Sequence, residues 1–309
     1  MADSKQHAHI DLDAESVIND PGPGFLGNLQ AAPSTSTMRQ YAYRGAEQFL
    51  HDTRSIYDPG AIANLEEYLL ITGVNKDTFT RQFLPHQDDR TTTNIFARWC
   101  AYDTALELLL IKMPESPAHS AAGPFFNNVL LDALCPMGLT RELATLGAKI
   151  RRTPEGAKAP DMCWQPQHVP FHATQGWPSV VLEVAYSETR KKLQSDIRWW
   201  LREADGHVKI VLTIAISRYG PGIMLERWER DPANGRIRAI QRLRITRNKR
   251  ADTVTVVGAP LIIQFEKLFL RAPVTPAEDD IFLNNDDLEH VARGIWKQVD
   301  EQGEVQGRQ

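Results

Sequence analysis

The spacing of apolar residues changes several times along this chain, and each change marks an expected element. From residue 38 to about 112 the pattern is mainly helical: Tyr41, Phe49 and Leu50 fall near one face, and Leu65, Tyr68, Leu69 and Ile71 recur at helical spacing. Asn75 or Thr78 is placed to open a short helix that ends before Pro85. Ala105–Met113 is a short apolar run that fits a helix end or a strand equally well. Phe125–Leu134 carries Phe126, Val129, Leu130 and Ala133 on one side and predicts a helix. Ala148–Arg151 and Asp161–Trp164 read as short strands around the turn-rich TPEGAKAP, and Ser179–Tyr186 (SVVLEVAY) as a buried strand interrupted by one acid. Leu193, Ile197, Trp200, Leu201 and Ala204 then mark an amphipathic helix that stops at Asp205–Gly206, with Gly206 as its left-handed cap. Val208–Ile216 is a second buried strand, rich in β-branched residues. Strands Ile223–Trp228, Ile237–Ile245, Val254–Val257 and Leu261–Phe265 follow, joined by turns such as Asp231–Pro232 and Asn234–Gly235, and Leu288–Val299 predicts a final helix.

This order divides the chain. Residues 1–37, rich in Ala, Ser, Pro, Gly and Asp, offer too little apolar surface to order and read as a disordered tail. Residues 38–274 read as one α/β domain: a helical N-terminal section, an α-β-β-β-α-β core over about 115–220, and a β-rich C-terminal extension. Residues 275–309 read as an acidic C-terminal tail with a helix. The length of 309 residues, with 42% hydrophobic and 24% charged, is that of a globular protein. No apolar run is long enough for a membrane span, so no membrane partner is expected. The first residues lack a signal pattern, and Cys100, Cys135 and Cys163 have no CxxC spacing. The expectation is therefore an intracellular protein, in cytoplasm or nucleus and not secreted.

Charge changes this picture. The net formal charge is −4, yet residues 187–250 carry 16 Lys and Arg against 7 acids, while residues 275–309 carry 3 against 9 and residues 1–36 carry 1 against 5. A basic middle between acidic ends suits either a polyanion site guarded by acidic tails or compensation within the fold. Arg236, Arg238, Arg242 and Arg244 alternate with apolar residues along one expected strand. They read as a phosphate-tracking ribbon, or as a charged edge that discourages sheet association.

The candidate chemistry lies in the middle strands. Glu183 shares a strand face with Val181 and Ala185, and a carboxylate there is costly to bury unless something pairs with it or binds a cation. Asp161, after Pro160, opens the strand before it, so the two carboxylates can converge on one hard cation such as Mg²⁺. His119, His168 and His172 lack metal-ligand spacing, and neither GxGxxG, GKS/T nor GxSxG occurs.

These residues resemble a fungal branch of the PD-(D/E)XK nuclease-like superfamily, the restriction-endonuclease-like fold. The matching pieces are KAPDMCWQP, GWPSVVLEVAYSET, the leucine, aspartate and tryptophans of LQSDIRWWL, then HVKIVLTIAI and IMLERWE, with MPESPAH before them. The resemblance implies a central mixed sheet flanked by helices. It also implies a hydrolase in which Asp161 and Glu183 hold Mg²⁺ (or Mn²⁺) and a lysine helps water attack a phosphodiester. The chain departs from the pattern twice: Ala185 stands where the E-x-K lysine belongs, and Ser120 follows His119 where a helix glutamate is often found. Lys158, Lys191 and Lys192 are candidate replacements, with Lys192 taken as the third catalytic residue beside Asp161 and Glu183. Two functions follow. One is a metal-dependent nuclease, or a degenerate one that still binds nucleic acid; the other is a non-catalytic protein-interaction module that retains the fold.

Overall fold

A computed structural model of the chain describes residues 17–18, 24–30, 38–54, 68–86, 94–113, 116–171, 173, 176–186, 190–217 and 220–306. Leu65, His172, and the greater part of residues 1–37 lie outside the described residues.

The strand Val180–Tyr186 organises the molecule. Val180–Ala185 are all buried, as expected for a strand covered on both faces. It runs parallel to Ile210–Ile216, with Glu183 opposite Thr213, and antiparallel to Met162–Pro166. Around this pair grows a mixed eight-stranded sheet. Its order runs from Leu143–Thr145 through Met162–Pro166, Val180–Tyr186, Ile210–Ile216 and Gly222–Arg230 to Ile237–Asn248. Both Val17–Ile18 and Thr253–Val257 pair with this last strand. The expected β-rich extension is thus the continuation of the central sheet.

One face of the sheet carries Val180, Leu182, Val184, Ile210, Leu212 and Ile214 into a core shared with the helices Pro117–Leu134 and Asn285–Gln306. Ser116 caps the first of these helices, accepting from the His119 amide at 3.2 Å, with Pro117 at the first helical position. The other face carries Val181, Val211 and Trp228, packed under the helix Arg190–Arg198 and its π-helical continuation Trp199–Glu203. Gly206 follows with φ +73°, the left-handed stop its position predicts.

Against that second face lies another sheet. Its order is Arg39–Ala42, Tyr68–Thr72, Leu108–Lys112, Trp99–Asp103, Gly156–Lys158, Arg151–Thr153. This corrects the expected helical section over 38–112. The run Tyr68–Ile71 is buried residue by residue because it has cores on both sides, Leu70 on one and Leu69 and Ile71 on the other, so periodicity alone misreads it. Asn75 does open a helix, accepting from the Thr78 amide at 2.8 Å, and Leu108–Lys112 is a strand. Phe49, Phe79, Phe83 and Phe96 cover the outer face of this second sheet, with Phe79 stacked on Tyr102 at 3.9 Å.

Two further boundaries need correction. Within residues 1–37, Phe25, Leu26 and Leu29 are buried in the core between the sheets, and the Leu26 amide donates to Asp103 at 2.9 Å. Three apolar side chains suffice because the larger domain supplies the rest of their pocket. Residues 275–309 are likewise no appendage: Leu288, Val291, Ala292, Ile295 and Trp296 are buried against the first core.

Candidate acid–lysine site

The site forms where the two sheets meet. Glu183 projects from the central strand toward the second sheet and is buried with three other charged side chains, Lys158, Lys192 and Asp196, none more than 2% exposed. Lys158 comes from the second sheet, paired beside Ala101. Lys192 and Asp196 come from the helix, at the i, i+4 spacing that puts two side chains on one face. Lys158 Nζ lies 3.1 Å from Glu183 Oε1 and 2.6 Å from Asp196 Oδ1. Lys192 Nζ lies 2.8 Å from Asp196 Oδ2 and 3.6 Å from Glu183 Oε2. The four groups form a closed ring of alternating sign. Trp200 Nε1–H donates to Glu183 Oε1 at 2.5 Å, and Lys192 sits over the Tyr68 ring at 4.6 Å.

Asp161 occupies an adjoining, more open position. Its Oδ1 accepts from Lys112 at 2.5 Å and its Oδ2 from the Val184 amide at 2.7 Å. His119 Nε2 donates to the Val184 carbonyl at 3.0 Å and lies 3.6 Å from Asp161 Oδ2.

The electrostatics separate the two acids. Burial pushes the Glu183 carboxyl up to about 7, against the pull of Lys158, with Asp196 adding to the rise. Asp161 is held well below the usual carboxylate range: burial would raise it, but Lys112, His119 and Lys192 prevail. Burial pulls on Lys158 and Lys192 as well, yet Asp196 and its neighbours hold both above the ordinary lysine value, Lys192 well above it. Burial thus favours the protonated form of Glu183, while the two lysines beside it are held charged.

A pH dependence follows. The folded state keeps the Glu183 proton that an unfolded glutamate releases near 4.5, so this group's stabilisation is full below that value and is lost as pH rises through 7. The shift corresponds to about 3 kcal/mol. Thermal melts from pH 5 to 8 are expected to show a decline in stability in the natural protein that flattens in Glu183→Gln. Parallel profiles would refute the assignment.

The expected metal ligands are thus near one another, since Asp161 binds the amide of the residue after Glu183. Their surroundings do not suit a divalent ion. A hard cation needs several free oxygen ligands, whereas Asp161 Oδ1 faces Lys112, and Glu183 Oε1 faces both Lys158 and Trp200. Among the described residues no three His, Cys, Asp or Glu side chains gather as a metal centre. Mg²⁺ or Mn²⁺ would have to displace ammonium groups from a charge-balanced interior.

The structure places the remaining candidates as follows. Lys192 reaches Glu183 from the helix, Lys158 reaches it from the second sheet, and Lys191 points to solvent. His168 is exposed beside Glu142. The four arginines do not form a ribbon. A bulge leaves Ile240 unpaired between Ala239, opposite Trp228, and Gln241, opposite Arg227. Before it Ile237 enters the core between the sheets; after it Leu243 and Ile245 enter the opposite core. The face parity flips at the extra residue, so Arg236 and Arg238 lie on one side and Arg242 and Arg244 on the other. Arg238 pairs with Asp231 at 2.6 Å and Arg242 with Glu226 at 2.8 Å.

Sequence reasoning did not single out Lys112, Asp196 or Trp200 for the site. Lys192, Asp196 and Trp200 are spaced i, i+4, i+8, a polar-to-aromatic stripe on the buried helix face that is legible once the helix is placed. Lys112 carries no such signal, because its role depends on the second sheet.

No family model and no curated protein matches the chain. Among solved structures, one from Anabaena variabilis, described as "a putative nuclease belonging to DUF820", matches with 14% sequence identity and a TM-score of 0.35, over 62% of this chain and 90% of that one.

Proposed function

We propose that this chain is a degenerate member of the PD-(D/E)XK nuclease-like fold that binds nucleic acid without hydrolysing it. The order of helix 117–134, strands 143–145, 162–166 and 180–186, helix 190–203 and strand 210–216 supports the ancestry. The observation that carries the loss of hydrolysis is the closed ring of Glu183, Lys158, Asp196 and Lys192. A phosphodiester and its attacking water need access to the acids, and here the second sheet roofs Glu183 and supplies an ammonium to each of the two expected ligands. Fold ancestry alone does not establish activity.

A second reading rests on Lys192, which lies 3.6 Å from Glu183 and could replace the lysine absent at Ala185. It would make the chain a hydrolase that rearranges around Mg²⁺ on binding its substrate. The two readings part in one experiment. Purified protein is incubated with single-stranded and duplex oligonucleotides in Mn²⁺ or Mg²⁺, with Glu183→Gln alongside, and binding is followed by gel shift at low salt. Binding without cleavage is expected. Metal-dependent cleavage lost in Glu183→Gln would overturn this proposal for the second. Absence of binding would leave a fold kept for protein interaction.

A further inference from the structure

We infer that the strand Thr253–Val257, at an open edge of the central sheet, docks the same strand of a second copy of this chain, the two pairing antiparallel about a two-fold axis at Thr255. The inference goes beyond the nucleic-acid reading and does not depend on it.

This edge is built differently from the others. Thr253–Val257 pairs on one side with Thr246 and its neighbours in the strand Ile237–Asn248. An antiparallel strand aims backbone N–H and C=O groups to both sides, and among the described residues nothing takes those on the far side. Soluble proteins blunt such edges by keeping them short or by placing charge or proline on them. The remaining edge strands among the described residues follow that rule. Val17–Ile18, Leu143–Thr145, Leu261–Ile263 and Ile281–Leu283 are shorter, and Arg39–Ala42 and Arg151–Thr153 are both shorter and arginine-bearing. Thr253–Val257 has five residues, all β-branched, with no charge and no proline. None of the five is buried. Val254 and Val256 rest half-buried on the core that holds Val291 and Trp296, while Thr253, Thr255 and Val257 face solvent, Val257 at 60% exposure.

The sequence of the strand selects its occupant. With the two-fold at Thr255, Thr253 lies opposite the partner's Val257, Val254 opposite the partner's Val256, and Thr255 opposite the partner's Thr255. Cross-strand partners share a face of the sheet, so valine meets valine on the core side and threonine meets threonine on the outer side, both favourable pairs. No like charges oppose one another: Asp252, just before the strand, comes opposite the partner's Gly258. Pairing also has a natural end. Gly258 turns the chain with φ +94°, and Pro260 has no amide to donate. A strand of ordinary surface composition would set charged side chains beside Val254 and Val256, whereas a second copy sets only valine there. The two-fold is closed, so each copy spends this edge once and the sheet does not grow into a filament.

The test is sedimentation velocity of the full chain at concentrations from about 1 to 100 µM. A monomer passing into a dimer is expected. Thr255→Lys and Thr255→Glu each change one exposed side chain and put like charges together at the two-fold, so each should weaken the dimer about tenfold or more. Their melting temperatures, taken at the dilute end, should match that of the natural chain. Mixing the two variants puts lysine opposite glutamate and should restore a dimer within about threefold of the natural affinity. Thr255→Val, uncharged and β-branched, should keep the dimer. A monomer at every concentration overturns the inference and leaves the edge to an extended segment of another protein. Species larger than a dimer overturn the closed two-fold. An undiminished dimer in Thr255→Lys places the contact on another surface, and failure of the mixed variants to pair overturns the register centred on Thr255.

Discussion

Asp196→Ala is expected to destabilise the protein by about 3–5 kcal/mol, the range for removing one partner from a buried ion pair. Asp196 is fully buried and holds Lys158 at 2.6 Å and Lys192 at 2.8 Å. Its loss leaves two buried ammonium groups facing one carboxylate. Glu183 cannot compensate fully, since it already meets Lys158 at 3.1 Å and stands 3.6 Å from Lys192. Urea denaturation measures the loss directly, and a shift below about 1 kcal/mol would show that the ring is not a unit. A double-mutant cycle separates charge from packing. Adding Lys192→Met restores one charge of each sign and keeps an aliphatic chain under Tyr68, so the pair should be at least 1 kcal/mol more stable than the sum of the two single changes. Strict additivity would mean that the two side chains act alone.

The ring also explains why a fold with an expected acidic centre reads as structural. Its members come from the central strand, the following helix and the second sheet, so it ties three layers at one point. Replacing such a set by well-packed apolar groups often costs nothing in stability. Stability alone therefore does not account for a buried ring of two acids and two lysines.

How far the sequence foretells this arrangement depends on where each signal lies. The strands around Glu183 are legible because β-branched runs bounded by turns leave little choice: Ile210–Ile216 and Gly222–Arg230 fall within two residues of the expected bounds. The helix after Glu183 is legible from its apolar stripe and from Gly206. Tyr68–Thr72 is not, since burial on both faces erases the alternation that distinguishes a strand. The arginine ribbon fails for a different reason. Its alternation is real, but one bulge at Ile240 reverses the faces, and a bulge has no signature in the residues on either side of it. At the site, Asp161, Glu183 and Lys192 are visible as chemistry-bearing residues in ordered elements. Lys112 and the roof over Glu183 are not, because they depend on how two sheets pack, which no local pattern encodes.

The C-terminal helix gives the second large expected effect: Trp296→Ala should cost about 3–5 kcal/mol, as for other large side chains removed from a core. The acidic composition of residues 275–309 suggests a solvated tail, yet Trp296 is buried in the core under the central sheet, 2% exposed. The Arg247 guanidinium lies over its ring at 5.0 Å, and the same arginine makes two hydrogen bonds to Asp300, one turn further on, at 2.6 and 2.8 Å. Close helix packing is written into Gly294: a Cβ there would come within 2.6 Å of the Phe125 ring on helix 117–134. Glu278, Glu289 and Asp300 of this segment pair with arginines while its apolar stripe completes the core. Thermal and urea unfolding of Trp296→Ala, compared with Trp296→Phe, measure the contribution. A loss of several kcal/mol in the alanine variant, mostly recovered by phenylalanine, is expected because the aromatic fills the site and keeps the arginine above a ring. A loss under about 0.5 kcal/mol in Trp296→Ala would mean that the helix is dispensable to the core and would return residues 275–309 to the status of a tail.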